Sequence, residues 1–403
     1  MNIPNIDYTI LLPTCSYKLI ENRSELSTNT KYMYFDRNKC GYTCPNCKSD
    51  KYHRDDIRRR NVIFPPYMGT KMIVVIKYNR FKCCNCRKKF IPPFEFVEKN
   101  SRLSTSCKQY FQERVNKNDS VKNIAQDCGF SGTTGWRIID NITFSIDLKG
   151  VTGLFFDEFK GNADGERYQL SIFDQEHNLI TVLKDRKSKS IKEFLLLLDL
   201  SKIQFVCTDL YGPFRDLVKK TIPNVTYIAD KYHFIRQLSW SIRDRRLAVY
   251  KSDTLKYRKC KTYWKLLAAN PITSKSGRQI SRLKEILNYD VHLKKLYEFQ
   301  ASFRVLCETR SNFEWQKKSY DNLLAELLLI GCEESKKLHS TLKNWQEEII
   351  NANLSGLSNG FVEGYNNKTK VLKRVSYGIK KFDHLHKLMH LRFNSRAVIN
   401  FNY

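Results

Sequence analysis

Two Cys-x-x-Cys pairs constrain the early part of this chain more than any other feature. Cys44-Pro45-Asn46-Cys47 and Cys83-Cys84-Asn85-Cys86 are separated by about 35 residues. A Cys-x-x-Cys turn brings two thiolates within reach of one tetrahedral ion, and two such turns complete a four-thiolate zinc site. Cys44, Cys47, Cys83 and Cys86 are therefore the candidate ligands of a structural Zn²⁺. The ion ties together both ends of the segment between them and clips a small sheet that cannot fold alone. That segment holds a strong strand pattern at Lys71–Tyr78, centred on Met72-Ile73-Val74-Val75-Ile76. The gap is longer than the roughly 15–20 residues common in zinc ribbons. Cys40 and His53 are spare ligands, and Cys84 gives the second pair a second possible register. A redox role fits less well, because neither pair opens a βαβ unit.

Composition narrows the class. The chain has 403 residues and is 41% hydrophobic, enough for a sizeable core, which excludes a disordered tail or a small stapled scaffold. Its 13 cysteines are odd in number, and the start, Met1–Leu12, lacks the basic region and cleavage site of a secretory signal. Reduced thiols and metal ligands are expected, in a cytoplasmic protein. No apolar run approaches the roughly 18 residues of a membrane span, so no membrane partner is expected. Lys and Arg number 70 against 41 Asp and Glu, a formal net charge of +29. Such an excess points to a polyanion, most often nucleic acid. Cations crowd the cysteine pairs, among them Arg58, Arg59, Arg60, Arg87, Lys88 and Lys89.

A helix-turn-helix pattern follows. Ser120 caps a helix through Val121, Ile124, Ala125 and Cys128, and Gly129 permits a left-handed turn. Ser131 caps a second helix, with Trp136, Ile138 and Ile139 expected inward and Thr133, Thr134 and Arg137 outward. In a DNA-binding helix-turn-helix the second helix enters the major groove. An ordinary helical hairpin is the plainer reading.

The next segment repeats one motif three times: an apolar strand that ends in an acid. Thr152–Phe159 carries Asp157 and Glu158, Ile203–Asp209 ends in Asp209, and Val225–Asp230 ends in Asp230. Further strands are expected at Arg167–Asp174 and Leu179–Leu183, with helices at Ser190–Leu200 and Phe214–Thr221. Acids are poor strand formers and costly to bury, so such an ending needs a reason. Strand ends are where α/β sheets place ligands. Asp157 and Asp209 on neighbouring strands repel, and Mg²⁺ or Mn²⁺ relieves the repulsion. Asp157 and Glu158 face opposite sides of one strand, so only one can face the metal. A later helix places Glu363, Asn366, Asn367, Lys370, Lys373 and Arg374 on one face, which suits a metal at one end and a phosphate backbone along the rest. The plainer reading is a solvated basic face.

These stretches together resemble the ISL-three family of bacterial insertion-sequence transposases. The resemblance spans roughly residues 40–395. Its motifs are the paired cysteines, the helix-turn-helix, Phe156-Asp157-Glu158-Phe159, Thr208-Asp209-Leu210-Tyr211-Gly212-Pro213-Phe214, Ile228-Ala229-Asp230-Lys231-Tyr232-His233 and Ser358–Lys368. It implies an α/β ribonuclease-H-like catalytic core with a helical insertion at about 234–350, preceded by a zinc-ribbon-like module and a helix-turn-helix. The expected domains are an unassigned segment 1–35, a zinc-binding module 36–98, a helix-turn-helix domain 99–148 and a catalytic domain 149–403. By the resemblance Asp157, Asp209 and Glu363 form the triad that holds two Mg²⁺ or Mn²⁺ ions. The partners implied are double-stranded DNA, as element ends and target, and a second copy in a homodimer that pairs two ends. A bacterial, nucleoid-associated setting follows.

Asp230 is a fallback acid, expected to be structural or to support His233, and His233 is expected to be a packed helix-start residue rather than a proton shuttle. Trp240 and Trp264 are expected in the core rather than as base-stacking platforms. Arg243, Arg245, Arg246, Lys256, Arg258, Lys259, Lys261 and Lys265 are expected to grip phosphates, although about half of such a set usually forms a solvated surface. Two rivals stand beside the transposase: a non-catalytic DNA-binding regulator derived from one, and a structure-selective nuclease on the same fold.

Overall fold

The structure, a computed structural model, describes residue 12 and residues 16–37, 41–117, 119–262, 264–270 and 275–401. Cys40, one of the spare ligands, lies outside the described residues. The chain divides into two compact units, one drawn from 1–145 with 368–403, the other from 146–367.

The first unit opens with one sheet. Strands β1 (Tyr17–Glu25), β2 (Thr30–Arg37), β3 (Tyr52–Tyr67), β4 (Thr70–Cys83) and β5 (Lys89–Phe90) lie in the order β1-β2-β4-β3, with β5 also on β4. The expected strand Lys71–Tyr78 is the middle of β4. Alternate residues of three strands form the core: Met33 and Phe35, Val62 and Phe64, and Met72, Val74 and Ile76. That period of two is the signature of a half-buried sheet. Residues 17–37, unassigned by sequence, supply two strands, and β2 pairs parallel with β4.

Three helices follow: α1 (Thr105–Val115), α2 (Val121–Asp127) and α3 (Gly132–Asp140). Ser120 Oγ accepts from the Asn123 N–H at 3.0 Å and Ser131 Oγ from the Thr134 N–H at 3.2 Å, so both expected caps form. Gly129 between them has φ +87°, the left-handed turn expected of it. The inward face of α3 differs from expectation. Gly135 and Ile139 are buried, while Trp136 and Ile138 are only half-buried. Trp136 instead lies flat against the His384 ring, 4.0 Å between centroids. Strand β6 (Ile142–Ile146) ends this part.

The second unit is built on β7 (Gly153–Phe159), β8 (Gln169–Asp174), β9 (Leu179–Leu183), β10 (Phe205–Thr208) and β11 (Thr226–Ala229). Their order is β11-β10-β7-β8-β9. The first three strands are antiparallel, and β10 and β11 add in parallel beyond β7. A parallel neighbour needs a crossover, and helices α4 (Ser188–Leu195) and α5 (Gly212–Thr221) provide them. The helix expected to reach Leu200 stops at Leu195, and Leu196 and Leu197 are exposed. The ring of Phe205 covers Gly153 so closely that a Cβ there would fall 2.2 Å from it, so only glycine fits.

After β11 comes a helical stretch: α6 (Lys231–Ser252), α7 (Thr254–Thr262), α8 (Trp264–Ala268), α9 (Gly277–Leu287), α10 (Val291–Glu308), α11 (Phe313–Leu329), α12 (Glu333–Asn344) and α13 (Gln346–Ser355). Buried Glu348 of α13 accepts from Lys219 of α5 at 2.8 Å, and Asn351 donates to the Tyr227 carbonyl at 3.1 Å. Helix α14 (Gly360–Val375) follows, then α15 (Phe382–Arg392) and β12 (Ala397–Phe401). Strand β12 pairs with β6, and α15 docks within the first unit. Arg392 donates to the carbonyls of Val115 and Asp119, at 2.8 and 2.6 Å. Among the described residues, no helix is long and apolar enough to cross a membrane.

Candidate metal centres

The sulfurs of Cys44, Cys47, Cys83 and Cys86 lie within 4.8 Å of one another. Cys44 Sγ is 3.5 Å from Cys86 Sγ, and Cys47 Sγ is 3.5 Å from Cys83 Sγ. The two knuckles are built alike. Lys48 and Arg87, each four residues after the first cysteine, turn left-handed with φ +61° and +60°. Each donates its N–H to the carbonyl of that cysteine. Backbone N–H groups of Cys86 and Asn85 point at the Cys83 sulfur and pull its thiol down to about 6. Those of Cys47 and Asn46 lower Cys44. Against the Ser49 backbone N–H, burial and the neighbouring sulfurs push the Cys47 thiol up to about 11. Four sulfurs this close, two of them favoured as thiolates, suit Zn²⁺. Register explains the closure: β3 and β4 pair until Tyr52 faces Cys83, which brings both knuckles to one end of the hairpin. His53 and Cys84 contact each other, Nδ1 to Sγ at 3.7 Å, and stand outside the four-sulfur group.

In the second unit, strand register aligns the acids. Cys207 pairs with Phe155, so Asp209, two residues on, comes level with Asp157. Thr208 pairs with Ala229, so Asp209 is level with Asp230. Three carboxylates thus stand abreast at the ends of β7, β10 and β11. Glu158 points away and takes a two-pronged bond from Arg186, at 2.7 and 3.0 Å. This is the alternation expected of adjacent strand residues.

His233, on the first turn of α6, joins the acids. Its Nδ1 is 3.1 Å from Asp209 Oδ2 and its Nε2 is 4.0 Å from Asp230 Oδ2. It is more than the packed helix-start residue expected: one atom each of Asp157, Asp209 and His233 lie within 4.8 Å of one another. The signal available in sequence was its position three residues after Asp230 at a helix start. Burial and Arg236 hold the His233 imidazole down at about 4, so it is neutral at pH 7. Asp230 is buried and accepts the Asn359 N–H at 2.8 Å.

Burial pushes the Asp157 carboxyl up to about 6, against a hydrogen bond from Asn366. Burial, then the neighbouring charges of Asp157, Asp230 and Glu158, push Asp209 up to about 8. Asp209 Oδ1 is buried with no hydrogen-bond partner among the described residues. Crowded acids with an orphaned oxygen fit a divalent cation, and oxygen donors favour Mg²⁺ or Mn²⁺.

Helix α14 is fastened beside this site. Asn359 Nδ2 donates to the Phe156 carbonyl at 2.8 Å, and Asn366 Nδ2 to Asp157 Oδ2 at 2.5 Å. Beneath it, Phe361 stacks on His177 at 3.8 Å and meets Phe155 edge-on at 5.0 Å. Glu363 is exposed, one turn before Asn366 on the same helix face, and is not in the Asp157–Asp209–His233 group. Asn367, Lys370 and Arg374 are exposed and Lys373 is half-buried. On α3, Thr133 and Arg137 are exposed, whereas Thr134 is engaged locally, its Oγ1 3.0 Å from Ser131 Oγ. Of the cations in the helical stretch, Arg245 is committed to Asp290 at 2.6 and 2.8 Å, and Lys259 to Glu285.

The sequence profile of a family described as a transposase matches residues 154–389, which spans β7 to α15 and every acid of this site. No curated protein matches the chain.

Proposed function

Because the chain belongs to the ISL-three family of transposases, we propose that it cuts the ends of a mobile DNA element and joins their 3′-hydroxyls to target DNA. The observation that carries the chemistry is the row of strand-end carboxylates, with a buried Asp209 oxygen that no described residue satisfies. The strand order, three antiparallel strands extended by two parallel ones, supports a ribonuclease-H-like core. Asp157, Asp209 and Glu363 are the proposed ligands of Mg²⁺ or Mn²⁺. Bound there, a metal pair supplies charge stabilisation at phosphorus and lowers the pKa of the attacking water or hydroxyl.

The protein's own part is positioning. Asn366 holds one oxygen of Asp157 and so fixes the direction of the other. Neutral His233 stands against Asp209 without adding a competing cation. Glu363 stands exposed on the first turn of α14, whose start is tied to β7 through Asn359, and would complete the set by turning toward the metal. No serine or tyrosine nucleophile is needed: water attacks the phosphodiester at the element's end and frees its 3′-hydroxyl, and that hydroxyl then attacks a target phosphodiester and releases a target 3′-hydroxyl. Thr133, Thr134 and Arg137 are proposed to meet DNA from α3, with Asn366, Asn367, Lys370, Lys373 and Arg374 along α14. Zn²⁺ at the four cysteines gives the basic hairpin its shape, and a homodimer brings two ends together.

A cleavage and strand-transfer assay on the element's own end sequence, with Mg²⁺ or Mn²⁺, tests the proposal. Joined products from the wild type that vanish in Asp209→Asn are expected. Binding without metal-dependent cleavage by the wild type overturns the proposal in favour of a regulator, and nicking without joining overturns it in favour of a nuclease.

A further inference from the structure

The first helix after the carboxylates carries a stripe that the proposed chemistry does not use. Tyr232, Arg236 and Trp240 recur every four residues on α6, and Arg243 follows three later. Residues so spaced lie on one helix face. The Arg236 guanidinium sits over the Tyr232 ring at 5.4 Å and over the Trp240 ring at 4.8 Å. Arg243 lies over Trp240 at 5.7 Å. Four side chains thus alternate aromatic and cation.

The stripe is not an unfinished core. Phe234, Leu238 and Ile242 do the packing for α6 and are essentially fully buried. Tyr232 remains 63% exposed and Trp240 38% exposed, against the expectation that Trp240 is a core residue. Trp264 departs from expectation in the same way, at 48% exposed. An exposed tryptophan between arginines presents an aromatic face with a positive border. Nucleobases with flanking phosphates complement that surface, since every base has a π-face and stacking tolerates any sequence.

The stripe is also continuous with the site. Arg236 Nη2 is 3.4 Å from His233 Nδ1, and Arg236 Nε is buried without a partner. From Tyr232 to Arg243 the stripe runs roughly 16 Å along the helix. A strand held at Asp157 and Asp209 therefore has its neighbouring nucleotides within reach of it. Bases inside a duplex already stack on one another, so only an unpaired base can offer its face.

We propose that the Tyr232–Arg236–Trp240–Arg243 stripe binds unpaired nucleotides of the DNA strand next to the carboxylate site. This rests on the transposase reading for the identity of the polymer. The test is a binding measurement that needs no catalysis, so its failure and that of the strand-transfer assay are separable. Single-stranded oligothymidylate and a fully paired duplex are titrated, in the absence of Mg²⁺, against wild type, Trp240→Ala, Trp240→Phe and Tyr232→Ala. Trp240→Ala is expected to weaken single-strand binding roughly ten- to a hundred-fold and to leave duplex binding nearly unchanged. Trp240→Phe keeps an aromatic face and is expected to recover most of the loss. Equal effects on single strand and duplex, or no effect on either, overturn the inference. So does a loss of self-association in sedimentation with single-strand binding intact, which makes the stripe a contact between two copies. Unchanged melting temperatures exclude misfolding, and Tyr232→Ala, at the most exposed position, repeats the test if Trp240→Ala unfolds.

Discussion

Asp209 is the residue at which function and stability oppose each other most directly. It is half-buried beside two other strand-end carboxylates, and its pKa is raised to about 8. The folded protein therefore binds a proton there that the unfolded chain, with an ordinary aspartate, releases near pH 4. This favours the folded state fully at low pH and is lost as pH rises from about 4 through about 8. Mg²⁺ or Mn²⁺ bound at the proposed site would replace the proton and restore the loss. Metal-free wild type is expected to melt lower at pH 8 than at pH 5, and millimolar Mg²⁺ to raise the melting temperature at pH 8. Asp209→Asn is expected to melt higher than metal-free wild type at pH 8, by a few degrees at roughly 2–4 °C per kcal/mol, and to lose the response to Mg²⁺. Calorimetry at the two pH values checks this, and an unchanged Mg²⁺ response in the variant refutes it. Asp157 and Asp209 were legible in sequence because an acid closing an apolar strand has a visible cost. The role of Asn366 was not, because it depends on an atom brought from far along the chain: Asn366 meets Asp157 across 209 residues.

At the scale of elements, the knuckles and the long hairpin between them form one device. β3 and β4 pair along almost their whole length, and the four sulfurs sit where that pairing ends. The adjoining packing is small: Phe81 and Phe90 with Tyr42 and Tyr52 against the cysteines. Removing zinc by chelation, or substituting Cys83→Ser, is expected to unfold this end of the hairpin and to release one zinc per chain by metal analysis. Amide exchange is expected to rise sharply from Tyr42 to His53 and from Phe81 to Phe90, and to stay low in β7–β11. Slow exchange throughout after metal loss counts against a structural ion. The spacing of the cysteines made this device readable, and the strands of the second unit were readable to within about two residues. β1 and β2 were not. β1 is almost wholly exposed and carries no alternation, and β2 earns its burial from a parallel partner about 40 residues away. The inward face of α3 was misjudged because His384, from a distant helix, takes the Trp136 ring.

At the scale of the whole molecule, the second unit is inserted within the first. Residues 1–145 and 368–403 are one unit although 146–367 separate them in sequence. The link is physical: β12 on β6, the His384 ring on Trp136, Lys387 on the Asp140 carbonyl and Arg392 on the ends of α1 and its loop. Leu385, Leu388, Met389 and Leu391 of α15 are buried. At roughly 1.5–3 kcal/mol for each fully buried side chain, their loss rivals the stability of a typical domain. A chain truncated after Lys381 is expected to lose amide protection in α1–α3 while β7–β11 keep theirs, and to bind duplex DNA at least ten-fold more weakly. Retained protection of α1–α3 in the truncated chain disproves the dependence.

The same nesting sets an order of events during synthesis. Helices α1–α3 precede the second unit along the chain, yet they lack their packing partner until α15 and β12 emerge. By then the carboxylate-bearing unit has been translated in full. A nascent chain that has passed the second unit but not α15 and β12 therefore holds the strand-end carboxylates in a finished unit while α1–α3 still lack their packing partner.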